Sequence, residues 1–253
     1  MISFVIPAHN EERLLGATLE SCRSSAEQFG EAYEIVVVDD ASTDHTSELA
    51  RARGARVITV NLRQISAVRN AGAKAAVGDR LFFVDADTVV PSAVLDMALQ
   101  ALGRGVVGGG AAVKMDRPIA LWVRLALLSW HCTSRVMRWA AGCFIFVRRD
   151  VFEAVGGFDQ RYYVAEEIFF SSAVKRQGRF VILREAVITS GRKAIAYGVW
   201  EMGLLVLKLL LGGPAAWRRR DGLEMWYQRR ADQEPPAIGT GQTNRSNESE
   251  QGI

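Results

Sequence analysis

Apolar residues in the first 90 positions of the chain come in four short runs and do not alternate with polar ones. The runs are "ISFVI" (2–6), "EIVVVD" (34–39), "RVITV" (56–60) and "RLFFVD" (80–85). Near-continuous apolar runs of this length are typical of strands that are covered on both faces, as in a parallel sheet. The pattern therefore predicts four buried strands in the first third of the chain.

Amphipathic segments separate these runs and predict helices over residues 11–29, 44–53 and 65–76, the second with Asp44 as its N-cap. Strands that alternate with helices at this rhythm indicate an α/β fold, with a doubly wound, mostly parallel mixed sheet. Ligands of such sheets bind outside the carboxyl ends of the strands. We therefore expect the functional site after residues 6, 39, 60 and 85.

The second half of the chain continues with both kinds of element. "VVGGGAAV" (106–113) predicts another strand, and residues 119–140 and 163–176 predict helices. Residues 142–159 read as a strand, a short helix and a Gly-Gly turn, and residues 180–189 as one or two short strands.

Composition narrows the class of protein. Of 253 residues, 49% are hydrophobic and 23% charged, and the net charge of +3 is too small to indicate a nucleic-acid partner. Cys22, Cys132 and Cys143 match no zinc or disulfide spacing, which favours a reducing compartment. The first residues lack the pattern of a signal peptide. We therefore expect a cytoplasmic location, including the inner face of the cell membrane.

Two carboxylates, Asp85 and Asp87, end the fourth run in "FFVDADTVV". Aspartate after a strand often caps the next helix, but Ser92 is the better cap for the helix after Pro91. Carboxylates two residues apart repel each other unless a cation lies between them. Mg²⁺ or Mn²⁺ prefers one or two carboxylates, with water and substrate phosphates as its other ligands. The pair therefore predicts a site for a divalent cation.

Five motifs in order resemble those of the family 2 glycosyltransferases, which have the A-type glycosyltransferase fold. They are "VIPAHNEE" (5–12), "VVVDDASTDHT" (37–46), "RNAGAKAAVGD" (69–79), "FVDADT" (83–88) and "GGFDQRYYVAEEIFFS" (156–171). The resemblance covers about residues 2–192, and we take residues 1–192 as the catalytic domain.

The resemblance implies a site for a UDP- or GDP-sugar, with an Asp-X-Asp (DXD) motif for a divalent metal, Mn²⁺ or Mg²⁺. Asp87 would bind the metal, and Asp85 would face the ribose or the metal. The implied nucleotide-sugar-binding residues are Pro7, Ala8, Asn10, Glu11, Asp40, Arg69 and Asp85.

An acceptor hydroxyl must lose a proton as it attacks the sugar, and a carboxylate serves as general base. The family places this base in a Glu-Asp pair after "GGFD", and here the pair is Glu166-Glu167. By position Glu167 replaces the usual aspartate and has a longer side chain, so Glu166 stays open as the base. Two acidic residues in a first helical turn are also favoured by the helix dipole alone. A single base implies inversion at the sugar carbon.

The chain departs from the family in two respects. It has no histidine after His131, so a late histidine ligand is missing, and "TSGRK" (189–193) offers Arg192 or Lys193 near the diphosphate instead. It also lacks the Gln-X-X-Arg-Trp sequence of processive synthases, which favours addition of a single sugar.

The C-terminal part divides into an apolar and basic segment, residues 193–230, and a polar tail, residues 231–253, expected to be disordered. Residues 194–217 have the length of a membrane span but carry Glu201 and Lys208, so an interfacial helix or a helix packed on protein is favoured. Trp122, Trp130 and Trp139, with Arg124, Arg135 and Arg138, would add to either surface. The acceptor stays open among glycan, lipid and small molecule.

Three other functions fit a similar sheet. A dinucleotide site would need glycines in the first β–α turn, but that turn reads "PAHNEE". A nucleotidyltransferase would want a Gly-rich first loop with arginine, which is also missing. A non-catalytic nucleotide-sugar-binding or scaffold protein is the alternative that the sequence leaves open.

Overall fold

The computed structural model describes residues 1–192 and Arg218. Its strands are β1 (Ile2–Ala8), β2 (Tyr33–Asp40), β3 (Arg56–Val60), β4 (Arg80–Val84), β5 (Thr88–Val89), β6 (Gly108–Met115), β7 (Phe144–Arg148) and β8 (Phe180–Thr189). Its helices are α1 (Leu15–Gln28), α2 (Thr46–Ala52), α3 (Ile65–Ala75), α4 (Ser92–Gly103), α5 (Leu121–Met137), α6 (Arg149–Ala154) and α7 (Glu166–Val174).

The strands form one mixed sheet in the order β3-β2-β1-β4-β7-β6-β8-β5. The first four strands are parallel, which brings their carboxyl ends to one edge. β7 runs antiparallel to both β4 and β6, and the short β5 runs antiparallel to the end of β8. The α/β, doubly wound fold class is therefore confirmed.

Buried side chains cover both faces of the sheet at β1, β2 and β4, as their near-continuous apolar runs predict. Phe82 contributes to the core beneath α1 and α4, whereas its neighbour Phe83 contributes to the core beneath α3, α6 and α7. On the second face, the ring of Phe158 lies 4.9 Å from that of Phe83 and 4.2 Å from that of Phe170. This aromatic cluster fixes the start of α7 over the carboxyl end of β4.

The predicted elements agree with the structure, apart from details at their ends. β3 has the predicted bounds, but it is an edge strand whose residues are partly or fully exposed, so the prediction that it is buried on both faces is wrong. Residues 180–189 form a single strand that shifts register against β6 between Ala111 and Ala112. The N-cap of α2 is His45 and not Asp44, although the Asp44 carboxylate accepts the Thr46 N–H. Pro91, not Ser92, is the N-cap of α4. A two-residue strand such as β5 is too short for its pattern to predict.

The predictions for the apolar and basic segment and for the polar tail lie outside the described residues, apart from Arg218. Among the described helices, none combines the length and the apolar character that crossing a bilayer requires.

Candidate nucleotide-sugar site

The predicted nucleotide residues of the first loop lie at the carboxyl end of β1, beside β2. Pro7 and Ala8 are buried in the last two positions of β1. Asn10 follows in the left-handed region (φ 59°), a conformation that asparagine tolerates better than most residues. Its side-chain oxygen accepts the Thr43 N–H (2.6 Å), and its own N–H donates to Ser42 Oγ (2.8 Å). These bonds join the loops after β1 and β2 into one rim.

Asp40 has both carboxylate oxygens turned toward the loop after β3. Oδ1 accepts the N–H of Leu62 (2.7 Å), and Oδ2 accepts the N–H of Arg63 (2.8 Å). Arg63 is itself left-handed (φ 50°), and its guanidinium lies 2.7 Å from His9 Nε2. Asp40 therefore holds the loop after β3 in place, and its contact with base or ribose stays a prediction.

Arg69 on α3 links the two sides of the site. Its guanidinium donates to Asp85 Oδ1 (3.0 Å), to Glu166 Oε1 (2.9 Å) and to the Gly142 carbonyl (2.8 Å). It also lies 5.3 Å from the centre of the Phe158 ring. Burial opposes its charge, but the neighbouring carboxylates more than offset this and raise the pKa of Arg69 above its ordinary value. The buried guanidinium of Arg69 thus binds both Asp85, predicted to face the sugar donor, and Glu166, predicted to lie on the acceptor side.

Glu166 and Glu167 begin α7 after Ala165, which is held in the left-handed region (φ 61°). Glu166 is buried and bonded to Arg69. Burial, and then the negative charge of Glu166, raise the pKa of Glu167 to about 8. An added Cβ at Gly142 would lie 3.9 Å from the Glu167 carboxyl carbon, in ordinary van der Waals contact, so Gly142 is a direct neighbour of this carboxyl group. Of the two, Glu167 therefore has the proton affinity of a base that works near neutral pH.

Asp85 and Asp87 follow β4 in a tight turn, in which the Thr88 N–H donates to the Asp85 carbonyl (3.0 Å). The turn sends the two side chains to different partners. Asp85 pairs with Arg69, whereas Asp87 Oδ2 lies 3.3 Å from the guanidinium of Arg192 and its Oδ1 accepts from Thr189 Oγ1 (3.4 Å). The predicted repulsion between the carboxylates is thus relieved by two separate arginines.

The donor set suits a divalent ion that takes most of its ligands from elsewhere. In the described part of the chain, no group of three or more His, Cys, Asp or Glu residues is arranged to hold a metal. The carboxylates of Asp87 and Glu11 nevertheless both contact the Arg192 guanidinium. The space between these two carboxylates therefore favours a positive charge. One or two carboxylates with substrate phosphates are a usual set for Mg²⁺ or Mn²⁺. Asp87 and Asp85 therefore remain predicted metal residues.

Four residues of the site are not predicted from the sequence. Two of them, Arg63 and His9, lie in the loops after β3 and β1, at the carboxyl ends of strands, where ligands of such sheets are expected. Asn70, next to Arg69, exchanges two 2.8 Å hydrogen bonds with the backbone of Phe158 and so holds the turn before α7. Gly142 precedes β7, and no local signal distinguishes it.

A family model described as "Glycosyl transferase family 2" matches residues 3–156. The chain belongs to this family. The match runs from β1 through α6, so it includes Asp40, Arg69, Asp85 and Asp87, whereas Glu166 and Glu167 lie beyond it. The family predicted from the five motifs is confirmed.

Two curated relatives of this family 2 glycosyltransferase share one name. The "Undecaprenyl-phosphate 4-deoxy-4-formamido-L-arabinose transferase" of Pseudomonas aeruginosa (strain LESB58) is 32% identical over 171 residues, 61% of this chain and 49% of that protein. Its namesake from Pectobacterium carotovorum subsp. carotovorum (strain PC1) is 34% identical over 135 residues, 49% of this chain and 40% of that protein. The chain therefore spans half the length of these relatives, or less.

Solved structures share the fold of this family 2 glycosyltransferase at low identity. The mannosyltransferase PcManGT from Pyrobaculum calidifontis, in complex with GDP-Man and Mn²⁺, has a TM-score of 0.61 and 16% identity, over 91% of this chain and 72% of that one. S. aureus TarS 1-349 in complex with UDP-GlcNAc has a TM-score of 0.58 and 21% identity, over 75% and 58%. These likenesses confirm the A-type fold.

Proposed function

We propose that this protein transfers a single sugar from a UDP- or GDP-sugar to an acceptor hydroxyl, with inversion at the sugar carbon. One relationship carries the proposal. Arg69 bonds at once to Asp85, on the donor side of the sheet edge, and to Glu166 at the start of α7, which carries Glu167. A donor site and a base are thereby held in fixed relation, as transfer between two substrates requires.

The nucleoside would lie against the rim formed by the loops after β1, β2 and β3. Asn10 and Asp40 hold that rim by hydrogen bonds to backbone N–H groups of neighbouring loops. Such loops are rigid enough to orient a base and ribose. The UDP- and GDP-sugar complexes of TarS and PcManGT support a nucleotide-sugar donor on this fold.

Asp87, with Asp85 beside it, would hold Mn²⁺ or Mg²⁺ against the diphosphate. When bound, the ion would supply Lewis-acid stabilisation of the charge on the leaving diphosphate. Asp87 itself orients this end of the donor, because the turn after β4 fixes its backbone and Thr189 binds its carboxylate. Asp85 keeps Arg69 in place and thereby connects the donor side to α7.

Glu167 would accept the acceptor proton at its carboxylate as the sugar carbon is attacked. Its pKa of about 8 keeps a usable fraction ionised at neutral pH and makes the carboxylate a stronger base than an ordinary glutamate. Glu166 is committed to Arg69, so we assign it the role of positioning α7. The extra methylene of Glu167 lets its carboxylate reach farther than the usual aspartate.

A lipid-linked acceptor on an anionic membrane surface fits one face of α5. Leu121, Leu125, Leu128 and Val136 are 58–79% exposed and recur at helical spacing. Arg124 and Arg135 are also exposed, and α5 contains no acidic residue. Of the predicted tryptophans, Trp122 and Trp130 are partly buried and lie outside this stripe.

An apolar stripe with flanking arginines is the pattern of a helix lying in an anionic bilayer surface. The undecaprenyl-phosphate relatives support such an acceptor.

Binding and transfer can be measured separately. Thermal shift with UDP and GDP, each with and without Mn²⁺, should reveal one stabilising nucleotide, because binding at 100 times Kd adds about 2.7 kcal/mol. That shift should shrink in Asp87→Asn and persist in Glu167→Gln. Transfer to an acceptor hydroxyl should be lost in both. Nucleotide binding without transfer to any acceptor would favour the non-catalytic alternative, and no binding at all would contradict the proposal.

The membrane surface has its own test. Leu125→Gln/Leu128→Gln should reduce co-sedimentation with vesicles rich in phosphatidylglycerol, and neutral vesicles should bind less than anionic ones. Val77→Gln is the control. Val77 is 67% exposed but lies outside α5, in the loop between α3 and β4. Equal binding by the double variant and the wild type would mean that α5 is covered by another part of this chain or by a second copy.

A further inference from the structure

Arg192 joins two loops of the donor site through one guanidinium nitrogen. Its Nη2 contacts Glu11 Oε1, in the loop after β1, and Asp87 Oδ2, in the turn after β4, the latter at 3.3 Å. The three side chains are only 14–18% exposed. In such a poorly solvated place, attraction between opposite charges is far less screened than on the surface.

The backbone that leads into Arg192 is fixed by the residues just before it. β5 pairs with the end of β8, which sets Thr189 opposite Thr88 and next to Asp87. The Ser190 N–H then donates to the Asp87 carbonyl (3.2 Å), and the Gly191 N–H donates to Asp116 Oδ1 (2.9 Å). The pairing of β5 with β8 therefore places the backbone just before Arg192 next to Asp87.

The position that Arg192 occupies is the one assigned above to the divalent ion. Asp87 cannot hold a close guanidinium and a metal without bringing two cations together, unless further negative charge arrives. A diphosphate brings that charge and offers oxygen acceptors that match the planar fork of arginine.

We propose that Arg192 holds the cation position at Asp87 while the nucleotide is absent, and moves to the diphosphate when nucleotide and metal bind together. This inference rests on the proposed function. Arg192 is then both a competitor of the free metal and a ligand of the donor. Because binding free energies are coupled reciprocally, nucleotide should raise the affinity for metal, and metal should raise the affinity for nucleotide. Arg192 supplies part of that coupling.

The experiment measures Mn²⁺ binding to the full chain from the electron paramagnetic resonance signal of the free ion. Without nucleotide, Arg192→Ala should bind Mn²⁺ about tenfold more tightly than the wild type, within the usual range of such couplings. With Mn²⁺ present, the same variant should bind the preferred nucleoside diphosphate, UDP or GDP, about tenfold more weakly by titration calorimetry. Arg192→Lys should lie between the two, because it keeps the charge but loses the fork.

Arg184→Ala is the matched control, because it removes one positive charge from an exposed position of β8, the strand that leads to Arg192. Asp87→Asn should weaken Mn²⁺ binding in every background, which ties the signal to this site. If the wild type binds Mn²⁺ and nucleotide but Arg192→Ala binds free Mn²⁺ no more tightly, the competition is wrong and the proposed function stands. If the wild type binds neither nucleotide with Mn²⁺, both proposals fail. Melting curves of each variant identify any loss of folding.

Discussion

The guanidinium of Arg69 and the carboxylate of Glu166 form a buried ion pair with an N–O distance of 2.9 Å, although 97 positions separate them in the chain. Arg69 lies on α3 and Glu166 opens α7, so the pair fixes the helix that carries Glu167 against the middle of the sheet. The same guanidinium binds Asp85 at the end of β4. Stability and site geometry therefore depend on one side chain.

Arg69→Met should be strongly destabilising, because it leaves the Asp85 and Glu166 carboxylates without their cation. Removing one partner of a buried pair costs roughly 3–5 kcal/mol, which urea unfolding would measure. Arg148→Gln is the control. Its pair with Asp150 is 45% and 62% exposed, so its loss should cost less than about 1 kcal/mol. Equal losses in the two variants would contradict the structural role of Arg69.

Activity should rise with pH and level off above an apparent pKa near 8, because Glu167 must be ionised to accept a proton. The profile of kcat/KM against pH for the free enzyme measures this. Glu167→Gln should lower kcat by about 10²–10⁴-fold. A comparable loss in Glu166→Gln alone, with an unchanged profile in Glu167→Gln, would transfer the base role to Glu166.

The free energy of unfolding, unlike the activity, should fall as pH rises. The folded protein holds the Glu167 proton up to about pH 8, whereas an unfolded glutamate releases it near 4.5. Between these values the folded state binds more protons, so the free energy of unfolding should fall as pH rises from about 4.5 to about 8. Glu167→Gln should flatten this fall in urea titrations across that range. Glu185→Gln, at an exposed position of β8, should leave it unchanged.

Asp40→Ala should destabilise the loop after β3, because the N–H groups of Leu62 and Arg63 lose their acceptor. Each lost hydrogen bond of this kind contributes about 0.5–1.5 kcal/mol, and nucleotide binding should weaken with the loop. Asp150→Asn, 62% exposed, provides the comparison. Weaker nucleotide binding with full stability would instead indicate that Asp40 contacts the nucleotide directly.

Gly72→Ala should destabilise the protein by about 1–3 kcal/mol, because the new methyl group would overlap the side chains of Val5 and Val38. α3 could then no longer lie close to β1 and β2. Gly103→Ala, at the end of α4, meets nothing within 4 Å and should be neutral or slightly stabilising. The urea midpoints of the two variants should therefore move in different directions or by clearly different amounts.

The parallel part of the sheet follows from the amino-acid pattern alone. The runs that become β1, β2 and β4 are apolar at successive positions, which suits strands with helices on both faces, whereas β3 is an exposed edge strand despite a similar run. Short loops and right-handed crossovers then restrict how such strands connect. For this reason the order of the runs is enough to locate the edge that bears Asp40, Asp85 and Asp87. The five sequence motifs indicate the family, and the match to the family model confirms it.

The partners of these residues depend on the tertiary structure. Nothing near Asp85 and Asp87 in the sequence shows that a tight turn sends one to Arg69 and the other to Arg192. The two-residue β5 is too short to carry a pattern, yet its pairing with β8 brings Arg192 to Asp87. Likewise, the raised pKa of Glu167 depends on burial and on Glu166, which only the docking of α7 creates. Local patterns encode which segments become strands and helices, whereas charge pairing and burial depend on which distant segments meet.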